Sequence, residues 1–60
     1  MTPANALKSF FQGRTKMQDA ECQELLNETM LITRRAMRSL ETAQLVTVIR
    51  RGKAFWMVRR

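Results

Sequence analysis

At Gln44 the hydrophobic pattern of this chain changes period. Up to Ala43 its apolar residues recur three and four positions apart. From Leu45 they fall into two runs, Leu45 to Ile49 and Ala54 to Val58, separated by Arg50-Arg51-Gly52-Lys53. A helical period and a strand period exclude one another over the same residues, so short helices must lead into a β-hairpin with a cationic tip. At 60 residues the chain allows one domain, residues 1–60, with a small core. A chain this short buries only roughly 60% of the surface it exposes when unfolded.

Three helices fit before the hairpin. Thr2-Pro3 is a strong helix start, because the hydroxyl can accept an orphan N–H and proline's fixed φ suits the first helical position. Leu7, Phe10 and Phe11 give that helix one apolar face, and Gly13 suits a left-handed stop, which predicts helix 1 over about 3–12. An extended piece over 14–17 can lie beside the hairpin as a third strand. Helix 2 follows over about 19–27, with Asp19 and Glu21 in its first turn and Cys22, Leu25 and Leu26 as its buried stripe. Asn27-Glu28-Thr29 is a short break in which asparagine tolerates the left-handed conformation and Thr29 caps the next helix. So short a connection forces a steep crossing, the geometry of a helix-turn-helix.

Helix 3 is predicted over about 30–43. Met30, Thr33, Ala36, Met37 and Leu40 share its core face, and Leu31, Arg34, Arg35, Arg38 and Thr42 the opposite one. Glu41 can reach Arg38 at helical spacing but not Arg34 or Arg35. Those two guanidinium groups are expected to lack an internal partner. The hairpin over about 45–58 leaves its register open. A two- or four-residue loop groups Val46, Val48, Phe55 and Met57 on one face, and a three-residue loop groups Val46, Val48, Trp56 and Val58. Either way both faces keep apolar side chains, more than one small helical layer covers. A dimer contact through the outer face, or through Phe10 and Phe11, would use that excess.

Charge is distributed as unevenly as pattern. Residues 1–28 carry three basic and four acidic side chains, and residues 29–60 carry eight basic side chains and only Glu41, so the balance runs from −1 to +7. A one-sided positive surface is the electrostatic footprint of a polyanion binder. Catalysis has little material: there is no histidine or tyrosine, and two glycines cannot build a phosphate-cradling loop. No enzyme and no cofactor or small-molecule ligand is expected. The single cysteine, Cys22, allows no internal disulfide and reads as an inert buried thiol, and a metal staple lacks ligands. Five methionines suit a small adaptable core. No run approaches the ~20 apolar residues of a membrane span, and Met1-Thr2-Pro3-Ala4 lacks the pattern of a secretory leader, so a soluble cytoplasmic, nucleoid-associated protein is expected.

From Cys22 to Gly52 the chain resembles the bacterial winged helix-turn-helix regulators. The matching elements are the Thr29 cap, Arg35 in the recognition helix, Leu40-Glu41, the Leu45-Val46 entry into the sheet, and the Arg50-Arg51-Gly52-Lys53 wing. Arg-Arg-Gly followed by Phe55-Trp56 looks most like the small fimbrial regulators of the PapI and FaeA type. Two positions depart from the family pattern: Gln44 stands where glycine usually ends the third helix, and Thr33 where an aliphatic core residue is usual.

The resemblance implies an α+β fold, a three-helix winged helix-turn-helix with a C-terminal β-hairpin wing. It also implies double-stranded DNA as partner and a role in transcription regulation. On this reading helix 3 lies in the major groove, where Arg34 or Arg35 can donate two hydrogen bonds to a guanine edge. Thr29, Leu31 and Arg38 lie along the same helix, with Leu31 able to touch a thymine methyl. Arg50, Arg51 and Lys53 take phosphates or the minor groove. The rival expectation is a protein-interaction winged helix, such as a phage antirepressor or accessory subunit, whose basic face meets an acidic protein. Leu31, Ile32 and the two-sided apolar hairpin favour it. RNA remains a third polyanion. An anionic membrane is disfavoured, because the face of helix 3 opposite the arginines is needed for the core.

Overall fold

The structure, a computed structural model, describes residues 1–60. Its elements in chain order are α1 (Pro3–Phe11), β1 (Lys16–Gln18), α2 (Asp19–Leu26), α3 (Met30–Thr42), β2 (Val46–Arg51) and β3 (Ala54–Arg59). The three strands form an antiparallel sheet in the order β1-β3-β2. This is a small α+β fold compatible with a winged helix. Each helix is slightly shorter than its sequence span, and the strand foreseen over 14–17 lies a little later, at β1.

Local chemistry starts and stops each helix. Thr2 Oγ1 accepts the Asn5 N–H at 3.2 Å, and Thr29 Oγ1 accepts the Ile32 N–H at 3.2 Å. Asn27 ends α2 in the left-handed region at φ 54°, its N–H donating to the Gln23 carbonyl at 2.8 Å. After α3, Gln44 donates to the Glu41 carbonyl at 2.9 Å and Leu45 to the Leu40 carbonyl at 3.1 Å. This paired pattern is a Schellman ending, with Gln44 in the left-handed position at φ 64°. The geometry that glycine usually supplies is therefore kept, at the steric cost of a Cβ.

The hairpin closes with a two-residue turn, Gly52-Lys53, between the Arg51–Ala54 pair, with Gly52 at φ 62°. That register puts Val46 and Met57 in the core and packs Val48 and Phe55 against it. From the helical layer Leu7, Phe11, Cys22, Ala36, Met37 and Leu40 meet them, and Met17 of β1 completes the cluster. Met17, Met37 and Met57 are all fully buried, and such unbranched side chains fill the irregular space between three short helices and a sheet.

Two side chains depart from the expected apolar stripes. Leu25 is 41% exposed and Phe10 is 44% exposed, because an eight-residue helix and a nine-residue helix each bury only one narrow face against α3. Thr33 is fully buried, and its hydroxyl donates to the Thr29 carbonyl at 2.9 Å, so the hydroxyl on the packing face is satisfied by the helix itself.

Candidate nucleic-acid interface

The outward ridge of α3 carries Leu31, Arg35, Arg38 and Thr42, spaced so that they stack along one line of the helix, and all four are exposed. Leu31 is 61% exposed. Arg34 lies to the hairpin side of this ridge and is not free. Its Nη2 donates to Asp19 Oδ2 at 3.2 Å, and its guanidinium carbon sits 4.5 Å from the centre of the Phe55 ring. The expectation that Arg34 lacks an internal partner is thus corrected. Asp19 lies far away in sequence, and only the fold brings it to α3. Arg35 has no ion-pair partner, as expected, while Arg38 Nη1 donates to Glu41 Oε1 at 2.7 Å.

Both carboxylates that hold these arginines also tie down the sheet. Asp19, only 4% exposed, accepts the backbone N–H of Phe55 at 3.3 Å through the same oxygen that faces Arg34. It stands just past the end of β1 and takes up a ladder position that a longer strand would have filled. Glu41 accepts the backbone N–H of Val48 on the edge strand β2 at 3.0 Å. That hydrogen bond, with the Arg38 contact second, holds the Glu41 carboxyl below the usual carboxylate range.

Between α3 and the hairpin lies a concavity of about 140 Å³ lined by Arg34, Met37, Arg38, Val48 and Phe55. Its floor is apolar and its rim carries two guanidinium groups. Arg50, cross-strand from Phe55, is on this same face of the sheet, and its Nε donates to the Gly52 carbonyl at 3.0 Å. Arg51 is not. It alternates to the outer face, where it lines a groove with Lys16, Ile49, Trp56 and Val58. The cationic tip is therefore split: Arg50 adjoins the α3 arginines, Lys53 occupies the turn, and Arg51 faces away from the helices. Thr29 is committed as an α3 cap acceptor and Leu31 projects freely next to it.

Arg59 plays a part the sequence did not suggest. Its Nε and Nη2 donate to the Arg14 and Phe11 carbonyls at 2.8 and 2.9 Å, and its guanidinium lies 4.9 Å from the Phe11 ring centre. It satisfies carbonyls at the end of α1. Arg14 itself makes a two-oxygen contact with Glu21 at 3.0 and 2.8 Å.

Cys22 is buried, and desolvation with the neighbouring Glu21 and Asp19 charges pushes its thiol up to about 12. No group of three or more histidine, cysteine or acidic side chains is positioned to hold a metal ion. No helix is long and apolar enough to cross a membrane. Comparison with protein-family models, curated proteins and solved structures found no match to this chain.

Proposed function

We propose that this chain is a winged-helix DNA-binding protein acting in transcription regulation, with α3 in the major groove and the hairpin tip against the backbone. One observation carries the reading: the arginine-bearing side of α3 adjoins Arg50, and no carboxylate lines the concavity between α3 and the hairpin. Asp19 is buried, and Glu41 is already engaged by Arg38 and Val48. Glu21 is taken by Arg14.

The ion pairs do not remove Arg34 and Arg38 from this role. A guanidinium has five N–H donors, and each carboxylate contact uses one of them. Partial pairing holds the planar group in place and leaves donors for a base edge or a phosphate. Arg35 and Arg38 on the ridge are the proposed base readers, with Leu31 and Thr29 toward the helix start. Arg34, Arg50 and Lys53 are the proposed backbone clamps. Three neutralised phosphates would give a log–log salt slope of about −3.

The test is titration into mixed-sequence duplexes at two salt concentrations, with Arg35→Gln, Arg38→Gln and the Arg50→Gln/Lys53→Gln pair. Loss confined to some sequences marks a reader, and a uniform loss with a slope shallower by about one per charge marks a clamp. Binding that is absent at low salt, or indifferent to all these replacements, refutes the reading. The second reading, an acidic protein as partner, draws on the exposure of Leu31 at the start of the basic ridge, since an apolar anchor beside arginines is also how a protein surface is gripped.

A further inference from the structure

The outer face of the sheet is not needed for the proposed DNA contact. Ile49 and Trp56 are cross-strand partners on it, Val58 stands next along β3, and Lys16 pairs with Val58 from the β1 edge. Together with Arg51 they line a groove of about 320 Å³, an apolar strip with a cation on either side. Lys16 Nζ lies 5.4 Å from the Trp56 ring centre. No acidic residue occurs in any of the three strands, so this face has no negative counterpart of its own.

The opposite composition is found on α2. Leu25 is exposed there and is flanked by Glu24, with Glu28 just beyond the helix end; neither glutamate has an ion-pair partner. An apolar knob between carboxylates on α2 complements an apolar groove between cations on the sheet. The helices pack on the other side of that sheet, so a molecule's own α2 surface cannot reach its own groove. Two sheets meeting face to face would instead bring Lys16 and Arg51 against like charges.

We propose that the outer sheet face docks the α2 surface of a second copy of this chain, with Leu25 entering the groove beside Trp56 and Glu24 and Glu28 facing Lys16 and Arg51. The contact joins two different surfaces, so it is heterologous and can repeat from copy to copy. It is small and charge-guided, hence weak and salt-sensitive. It does not rest on the DNA reading, because α3, Arg50 and Lys53 take no part in it, and self-association is measured without duplex DNA.

Sedimentation over a concentration series at low and high salt reads the association, and fluorescence of Trp56, the sole tryptophan, reads the site. The expected result is a mean mass that rises with concentration at low salt, with a blue shift of Trp56, and falls back at high salt. Glu24→Lys/Glu28→Lys and Lys16→Glu/Arg51→Glu should each weaken self-association at least tenfold while keeping the wild-type circular dichroism. Mixing these two charge-reversed variants should restore it, since each then offers the other an opposite face. A wild type that stays monomeric at low salt overturns the proposal, as does association without a Trp56 response or a mixture that fails to recover. If the sheet face binds a single-stranded oligothymidine or an acidic peptide while the chain stays monomeric, the occupant is not a second copy and the proposal is likewise overturned.

Discussion

Replacing Asp19 tests whether one buried carboxylate couples Arg34 of α3 to the sheet. Its Oδ2 accepts from Arg34 at 3.2 Å and from the Phe55 N–H at 3.3 Å, and it sits in the first turn of α2. Asp19→Ala removes all three interactions. The charge at the helix start contributes about 0.5 kcal/mol. The Arg34 pair contributes about 0.5 kcal/mol, a value held low because Arg34's side chain is 43% exposed and solvent screens it. Leaving the Phe55 N–H without a partner costs about 1–2 kcal/mol. The sum is about 2–3 kcal/mol, which in a domain of this size lowers Tm by roughly 10–20 °C.

Asp19→Asn keeps an acceptor oxygen for the Phe55 N–H and loses only the two charge effects, so about 1 kcal/mol is expected. Urea denaturation followed by circular dichroism at neutral pH measures both. The difference between the variants isolates the hydrogen bond to the sheet. Equal losses in alanine and asparagine would show that the Phe55 N–H contributes nothing, and a loss below about 0.5 kcal/mol in both would refute the idea of a structural hub at this carboxylate.

Gln44→Gly should raise stability by about 0.5–1 kcal/mol, since relief of a left-handed Cβ outweighs the entropy that glycine adds to the unfolded chain; denaturant midpoints check it. Thr33→Val should change stability by less than about 1 kcal/mol in the same assay, because the Thr29 carbonyl keeps its bond from the Thr33 N–H when the hydroxyl is lost. Glu41 has a folded pKa below its unfolded value, so its contribution is fully present above about pH 4.3 and is lost as pH falls through the depressed value. A stability–pH series should therefore show a steeper acid loss for the wild type than for Glu41→Gln. Cys22, with its thiol raised to about 12, should react with a thiol reagent at pH 8 only at the rate of unfolding, and immediate labelling of the native protein would contradict its burial.

Much of this fold is local, and the local part is what the residues announce. Thr2-Pro3, Asn27, Thr29 and Gly52 each act within a few positions of themselves, through a cap, a left-handed angle or a turn. Alternation in the final runs limited the hairpin to a few registers, and the two-residue turn selects one of those weighed. What could not be seen were contacts joining distant segments. Asp19 meets Arg34 and Phe55, and Arg59 meets the end of α1, across separations at which no periodicity relates the partners. The arginine pattern on α3 was readable, but whether each arginine was free was not. That depends on where α2 begins relative to α3, which is a property of packing.

Those long-range contacts change what the basic surface is. Viewed as composition, the second half of the chain is a field of cations with a single acid. In the folded chain, Arg59 is spent on carbonyls, Arg34 and Arg38 are held by carboxylates, and Arg51 is turned to the far side of the sheet. Unpaired charge on the α3 side is left to Arg35 and Lys53, with Arg60 near enough to Glu41 to act on its carboxyl and Arg50 tethered to its own turn. A loose cationic field binds any polyanion with little preference, whereas guanidinium planes fixed by a second contact lose less side-chain entropy when they meet a matching edge. On the proposed DNA reading the same two carboxylates would lower the net attraction in favour of selectivity, and both also hold the sheet against α3. In this domain Asp19 and Glu41 each tie one α3 arginine to one hairpin strand, Arg34 to β3 and Arg38 to β2.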